Sequence, residues 1–305
     1  MRRETYRWAV LLIAALLLVA GCGGSGKKKT AKPKVDRLAH FAYDASKPLT
    51  LRTKGTERRG TVQIRDISFA GPRGERVLGY LVVPPGNGPH PAVIYAHGAG
   101  GERTELLDQA VEMSKRGAVT LALEMPYSRR RAIRARNGIQ GVREQVDHDV
   151  LAVQEVRRSV DLLRSLPIVG DQRIAYVGWS AGARIGAIVA GVDHRVSSLD
   201  LLAGGAVPLG VYELVTPKAV VAQVLPLLTK IDALYYVRHA APSALFLQNG
   251  RFDQVVPTKA LRQLAHDASN PKDIRWYQTG HVPGKRAWGD SRNWLSGRLG
   301  LTKKT

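Results

Sequence analysis

From about residue 61 onward, short runs of β-branched and other apolar residues alternate with longer stretches in which apolar residues recur every three or four positions. The short runs are typical of buried strands, and the longer periodicity is typical of helices with one apolar face. The alternation predicts one α/β domain at 61–300, with a mostly parallel, twisted sheet covered by helices on both faces. The predicted strands are 62–69, 77–83, 91–96, 118–124, 173–177, 198–203, 243–248 and 274–278.

Helical periodicity is clearest between residues 142 and 166, where valines lie three or four positions apart and most charged residues fall on other positions. Pro167 ends this pattern. The stretch 206–241 is the hardest to interpret, and it is a candidate for a small cap insert. The other predicted helices are 106–116, 181–190, 218–236, 258–267 and 286–299.

Residues 1–21 differ from the rest of the chain. Three arginines precede an apolar run at 8–20, which is too short for a bilayer span and typical of the core of a signal peptide. The run ends in V-A-G-C, closing at Cys22, and this resembles the lipobox of bacterial lipoproteins. The resemblance implies a lipidated Cys22 and an exported protein held by that lipid on the outer face of a bacterial cell membrane. An uncleaved anchor and a signal cut elsewhere are the alternatives.

The segment after Cys22 is rich in glycine and lysine, so we expect 22–60 to be a basic, flexible tether and lead-in to the domain. Cys22 is the only cysteine, which excludes a disulfide framework. The formal net charge is +21, but the remaining basic residues are spread along the chain without a nucleic-acid-binding motif. We therefore expect membrane contact through the lipid anchor, and no nucleic-acid partner.

Residues 178–182 read G-W-S-A-G and lie between a predicted strand and a predicted helix, the context in which G-x-S-x-G is typical of a nucleophile elbow. We predict a tight turn that raises the Ser180 hydroxyl above the sheet edge. A side chain at Gly178 or Gly182 would press on neighbouring backbone in such a turn. Ser180 is therefore the candidate nucleophile.

A serine hydroxyl needs a base, and the base needs an acid that orients it. His281 follows the last predicted strand, where a loop could bring it over Ser180. Asp253 follows the strand at 243–248 and precedes His281, the chain order expected of an elbow of this kind. The other histidines after the serine lie in a helical pattern or precede the best acid candidate; they are His194, His239 and His266.

The sequence H-G-A-G follows the strand at 91–96, where such a fold supplies one donor of its oxyanion hole. We predict the backbone amide of Ala99 as that donor and the amide of Ala181 as the second. The glycines on both sides of Ala99 would let the backbone approach the developing oxyanion.

These motifs resemble those of the α/β-hydrolases, in particular the dienelactone-hydrolase-like and acetyl-xylan-esterase-like serine esterases. The resemblance spans about residues 60–299, and its motifs end at or surround Ala99, Ser180, Asp253 and His281. It implies an α/β-hydrolase fold, an acyl-enzyme mechanism and a small-molecule ester, with a short acyl chain, as the substrate. Dienelactone hydrolases proper use a cysteine nucleophile, so Ser180 favours ordinary ester hydrolysis.

Three alternative interpretations compete with this one. A peptidase or another acyl hydrolase of the same fold stays open, and so does a non-catalytic, envelope-binding module. A dinucleotide fingerprint at Gly98 lacks its third glycine, because Arg103 occupies that position.

No metalloprotease, Walker or zinc spacing is present, so no metal and no cofactor is implied. The arginine cluster at 129–136 is interpreted as a solvated basic loop that could also favour acidic substrates.

Overall fold

The computed structural model describes residues 36–129, 138–211 and 217–301. These residues form one nine-stranded sheet with the order β1-β2-β3-β5-β4-β6-β7-β8-β9. Cys22, the signal segment and most of the arginine cluster lie outside the described residues. The strands are β1 Arg52–Arg59, β2 Val62–Ala70, β3 Arg76–Val83, β4 His90–Ala96, β5 Val119–Leu123, β6 Val169–Trp179, β7 Val196–Leu202, β8 Ala244–Gly250 and β9 Lys272–Tyr277.

The sheet is antiparallel over its first three strands and at the junction of β3 with β5. All five remaining strand pairs are parallel, which confirms the predicted mostly parallel sheet. Strand β5 is buried along its whole length, as is expected of a parallel strand covered on both faces. The carboxyl ends of the parallel strands therefore meet at one edge of the sheet.

Helices cover both faces of this sheet, as predicted. One core cluster lies under α3, α4 and α6, and a second lies under α1 and α8 on the opposite face. The helices are α1 Leu107–Lys115, α2 Pro126–Arg129, α3 Ile139–Ser165, α4 Ala181–Val192, α5 Lys218–Leu228, α6 Ala233–Val237, α7 Thr258–Asp267 and α8 Lys285–Leu299.

The ordered fold begins earlier than we predicted. We placed the start of the domain at residue 61, but β1 pairs with β2 and Phe41 is fully buried in the core. Residues 36–60 are therefore part of the folded body, and the predicted tether does not extend to residue 60.

The predicted helix at 218–236 is two helices. Helix α5 contains Pro226 near its end, and Asp232 begins α6 by accepting hydrogen bonds from the amides of Leu234 and Tyr235 at 3.2 and 3.3 Å. Helix α5 contacts α3, and α6 packs against α4. Helix α6 belongs to the core on one face of the sheet, whereas α5 lies on α3 and only its Val224 is buried. A small cap at 206–241 stays a prediction. The segment Lys218–Val237 is long and apolar enough to cross a membrane, with a mean hydropathy of 1.4 over a window of which 33% is buried.

Candidate active site

Ser180 lies in the tight turn between β6 and α4, as the motif predicts. Its φ of 56° is positive, a strained conformation for a residue with a side chain. The turn is possible because its glycines allow close backbone contact. A Cβ on Gly178 would lie 2.5 Å from the carbonyl carbon of Gly182, and a Cβ on Gly182 would lie 2.2 Å from the Ala96 oxygen. The Ser180 amide donates to the Leu202 oxygen at 2.8 Å, which ties the turn to β7.

The structure brings together the three side chains that we predicted to act with one another. Ser180 Oγ lies 2.9 Å from Nε2 of His281, and Nδ1 of His281 lies 2.8 Å from Oδ2 of Asp253. Asp253 and His281 are only 8% and 9% exposed. A serine, an imidazole and a carboxylate in this order can make the hydroxyl nucleophilic.

The carboxylate of Asp253 is held by its own loop. Its Oδ1 accepts hydrogen bonds from the amides of Val255 and Val256 at 2.8 and 2.9 Å, while Oδ2 faces His281. Burial acts to raise the pKa of Asp253, but the hydrogen bonds from His281 and from the two amides outweigh it and hold that pKa below its ordinary value. Asp253 is therefore ionised at neutral pH, and its Oδ2 accepts a hydrogen bond from the Nδ1–H group of His281.

The loops that carry Asp253 and His281 are joined by the continued pairing of β8 and β9. Beyond the strand ends, the amide of Arg251 donates to the Tyr277 oxygen at 2.8 Å, and the amide of Phe252 donates to the Thr279 oxygen at 3.0 Å. The two backbones are close here, since a Cβ on Gly250 would lie 2.1 Å from the Gly280 oxygen. Backbone hydrogen bonds therefore hold the loops of Asp253 and His281 against one another at the carboxyl edge of the sheet.

The loop after β4 lies directly beside the serine. A Cβ on Gly98 would lie 3.5 Å from the Cβ of Ser180. Within the part of the chain that the structure describes, neither the Ala99 amide nor the Ala181 amide has a hydrogen-bond acceptor. Both amides are therefore available to a substrate oxygen, as an oxyanion hole requires.

The backbone of this loop is fixed by three side chains. The Tyr127 hydroxyl donates to the His97 oxygen at 2.5 Å, and the Gly98 amide donates to Oε2 of Glu105 at 3.2 Å, so the peptide between His97 and Gly98 is held at both ends. Nδ1 of His97 lies 2.8 Å from the Gly98 oxygen, and its Nε2 accepts the Met125 amide at 3.1 Å.

These contacts determine the tautomer and the protonation state of the His97 imidazole. Because Nε2 accepts a hydrogen bond, the ring proton lies on Nδ1, which donates to the Gly98 oxygen. Burial lowers the pKa of His97, so the ring stays neutral. In a trans peptide the carbonyl and the amide point in opposite directions. By holding the Gly98 oxygen, His97 therefore fixes the direction of the Ala99 amide.

Sequence reasoning missed several residues around this site. Trp179 donates from Nε1 to the His281 oxygen at 3.1 Å, and the sequence signal was its place beside Ser180 in the G-x-S-x-G motif. Tyr127 and Glu105 carry no motif that would have identified them. Phe252 and Val282 adjoin Asp253 and His281 in sequence, and each is an apolar side chain that is 63% exposed.

The other candidate histidines after the serine are not part of this arrangement. His239 contacts the Tyr235 oxygen, and His266 contacts Asp267. Among the described residues, no group of three or more His, Cys, Asp or Glu side chains could hold a metal ion. Arg129, the described member of the arginine cluster, is paired with Glu155 and donates to the Glu124 oxygen, so it is a structural residue.

The sequence of residues 45–208, more than half of the chain, matches the family model of acetyl xylan esterase (AXE1). This stretch includes Ala99 and Ser180, whereas Asp253 and His281 lie beyond it. A search of curated protein sequences finds no match.

Several solved structures share the fold. Acetyl xylan esterase 1 from Thermoanaerobacterium sp. JW/SL YS485 has a TM-score of 0.72 at 18% identity, covering 86% of this chain and 92% of that chain. The acetyl xylan esterase from Paenibacillus sp. R4 has a TM-score of 0.70 at 20% identity, with the same two coverages of 86% and 92%. A cold-adapted esterase from an Arctic intertidal metagenomic library has a TM-score of 0.63 at 18% identity, covering 81% and 99%. These similarities confirm the α/β-hydrolase fold, and the family match over more than half of the sequence shows that the chain belongs to the acetyl xylan esterase (AXE1) family and is a hydrolase of ester bonds.

Proposed function

We propose that the protein is a serine esterase that cleaves carboxylic esters with short acyl chains, acetyl to butyryl, through an acyl-enzyme intermediate. The observation that carries this proposal is the 2.9 Å distance between Ser180 Oγ and Nε2 of His281. A hydroxyl is a weak nucleophile, and a base at hydrogen-bond distance activates it by accepting its proton as it attacks.

In the first half of the reaction, Ser180 Oγ attacks the ester carbonyl carbon while His281 takes its proton. Asp253 accepts the Nδ1 hydrogen bond and stabilises the imidazolium that forms. The tetrahedral intermediate then expels the alcohol oxygen, which receives the proton from His281, and Ser180 is left acylated. Water repeats these steps with His281 as the base, releasing the carboxylic acid and restoring the serine.

The amides of Ala99 and Ala181 receive the negative charge that develops on the carbonyl oxygen. Preorganised donors of this kind contribute strongly because they need no reorientation as the charge forms; losing one costs about 10² to 10³ in kcat in well-studied hydrolases. The bracing of the Ala99 loop by His97, Tyr127 and Glu105 supports this role.

The preference for short acyl chains is supported by the family and by two of the similar structures, which are named for acetyl esters. The exposed apolar side chains next in sequence to Asp253 and His281, those of Phe252 and Val282, suit a neutral ester better than a charged one.

The proposal is tested by treating the purified full-length protein with a fluorophosphonate probe and measuring kcat/KM over 4-nitrophenyl esters from C2 to C16. We expect labelling of Ser180 and a maximum at C2 to C4. A maximum at long chains would contradict the acyl preference. Cleavage of peptide amides in preference to esters would support the peptidase alternative. A folded protein that neither reacts with the probe nor cleaves an activated ester would be a binding module.

Single substitutions test the roles of the three residues. Ser180→Ala and His281→Ala should each lower kcat by roughly 10⁴-fold or more, and Asp253→Asn by less, because such residues act as a unit and their losses do not add. His266→Ala is the control, since His266 is an exposed histidine paired with Asp267. Its kcat should equal that of the wild type.

A further inference from the structure

A second carboxyl group lies at the reacting site, besides that of Asp253. Glu105 is in the loop between β4 and α1, and its Oε2 accepts the amide of Gly98, the glycine that lies against Ser180. The carboxyl group is folded back over its own loop, because a Cβ on Gly101 would lie only 2.2 Å from Oε2 of Glu105. In the proposed mechanism His281 carries out every proton transfer, so the carboxyl group of Glu105 takes no part in the chemical steps.

The charge of Glu105 has no basic partner. Among the residues that the structure describes, no lysine or arginine forms an ion pair with it, and the nearby Arg103 is bound to Asp66 at 2.6 Å. The Glu105 side chain reaches solvent, yet its carboxyl is partly desolvated against the loop, and this raises its pKa. The Gly98 amide and His281 oppose the rise. Glu105 therefore lies close enough to His281 for the two groups to interact electrostatically.

A carboxylate without a basic partner at this position weakens the binding of anionic ligands relative to neutral ones. Like charges repel through the partly desolvated site, whereas a neutral ester experiences no such net repulsion. Ester hydrolysis converts a neutral substrate into a carboxylic acid, which loses its proton to become an anion in the same place. The net charge of +21 would otherwise favour retention of that anion.

We propose that Glu105 is a specificity-determining residue of the ester site, whose carboxylate disfavours acyl groups that carry a negative charge and promotes release of the carboxylate product. This inference rests on the proposed esterase function. It concerns the charge of the acyl group, which neither the family match nor the triad geometry addresses.

The test compares two substrates that differ in one charge, 4-nitrophenyl hydrogen succinate and its neutral methyl ester. The release of 4-nitrophenol reports on the same bond in both. The wild type should prefer the methyl ester, and Glu105→Gln should reduce that preference by about fivefold, a size expected for unit charges several ångströms apart in a partly exposed site. The inhibition constant of acetate should fall in Glu105→Gln by a similar factor.

Two further variants separate charge from loop positioning. Glu105→Ala removes both the charge and the acceptor of the Gly98 amide, whereas the glutamine oxygen can still accept that amide. We expect both variants to lose the charge discrimination. The alanine variant should lose more kcat on the neutral ester than the glutamine variant, because only alanine also removes the acceptor of the Gly98 amide. Glu102→Gln removes a charge from an exposed position in the same loop, so it should leave the substrate ratio unchanged.

Equal substrate ratios and equal acetate inhibition in the wild type and Glu105→Gln would overturn the inference while leaving the esterase proposal intact. Failure of the wild type to cleave the neutral ester would instead overturn the proposed function. One assay therefore distinguishes a failure of the Glu105 inference from a failure of the esterase proposal.

Discussion

The indole of Trp179 holds the backbone of His281, through a hydrogen bond of 3.1 Å from Nε1 to the His281 oxygen. The two rings also lie against one another, with centroids 5.6 Å apart. Trp179 directly precedes Ser180, so one residue of the elbow is bonded to Ser180 along the chain and to His281 through its indole. The separation between Ser180 and His281 therefore depends on a contact between loops about 100 residues apart in the chain.

Trp179→Phe should lower kcat by about three- to tenfold with a smaller effect on KM. Phenylalanine keeps most of the ring contact but loses the donor, and one such hydrogen bond contributes about 1 kcal/mol, which is about a factor of five in rate if all of it positions His281. Steady-state kinetics on 4-nitrophenyl acetate measure the effect. Trp294→Phe is the matched control, because Trp294 donates its indole proton to Asp273 away from the site. Equal kcat in the two variants would show that the Trp179 bond has no positioning role.

Gly182→Ala should destabilise the fold by about 1–3 kcal/mol, the usual cost of overpacking, because the new Cβ would meet the Ala96 oxygen at 2.2 Å. Thermal unfolding followed by circular dichroism measures the loss. Gly289→Ala is the control: it lies within α8 with no atom within 4 Å of a new Cβ, and alanine favours helix over glycine by up to about 1 kcal/mol. A Gly182→Ala protein as stable as the wild type would contradict the close contact.

Most of the sheet and the core of the site could be predicted from the sequence because their signals are local. Strands such as β4 are continuous apolar runs, and the spacing of Gly178, Ser180 and Gly182 specifies a turn whatever surrounds it. Asp253 and His281 were found because each directly follows a strand. In a parallel sheet, residues that follow strands meet at one edge.

The parts that could not be predicted depend on contacts without a local signal. Strand β1 was missed because all eight of its residues are exposed and most are polar, so it shows no alternation of apolar positions. The break between α5 and α6 was missed because apolar residues continue through it, although Pro226 and Asp232 mark it. The contacts of Tyr127, Glu105 and Trp179 join separate segments, and a single sequence does not reveal such pairs.

We propose that Cys22 is lipidated and that the protein is held on the outer face of a bacterial membrane. The proposal is supported by the arginines before the apolar run at 8–20 and by the lipobox-like residues that end at Cys22. Intact-mass analysis of membrane-extracted protein should show a mature N-terminus at Cys22 carrying a diacylglyceryl group. Cys22→Ser should abolish the adduct and the membrane association together. An unmodified chain that begins at Met1 would contradict the proposal.

Asp200 should make the fold less stable as the pH rises from about 4 to about 7. It lies fully buried in β7, and Gln248 Nε2 donates to its two carboxyl oxygens at 2.8 and 3.0 Å. Burial raises the pKa of Asp200 to about 7, against the opposing hydrogen bonds of Gln248 and Ser291. Because the folded protein binds this proton more tightly than the unfolded chain does, the stabilisation is complete below the unfolded pKa of about 4 and is lost as the pH approaches 7.

Asp200→Asn should therefore gain stability relative to the wild type between pH 5 and pH 8.5, because asparagine carries no charge to bury. For a domain of this size, 1 kcal/mol corresponds to about 2–4 °C in Tm, so the difference in Tm between variant and wild type should shift by a few degrees. Asp193→Asn is the control. Although burial acts to raise it, the pKa of Asp193 is held below its ordinary value by Arg195 and Arg157, so its charge is constant over this range. The cost of Asp193→Asn should be the same at both pH values, and a pH-independent difference for Asp200→Asn as well would mean that Asp200 does not titrate near neutrality in the folded protein.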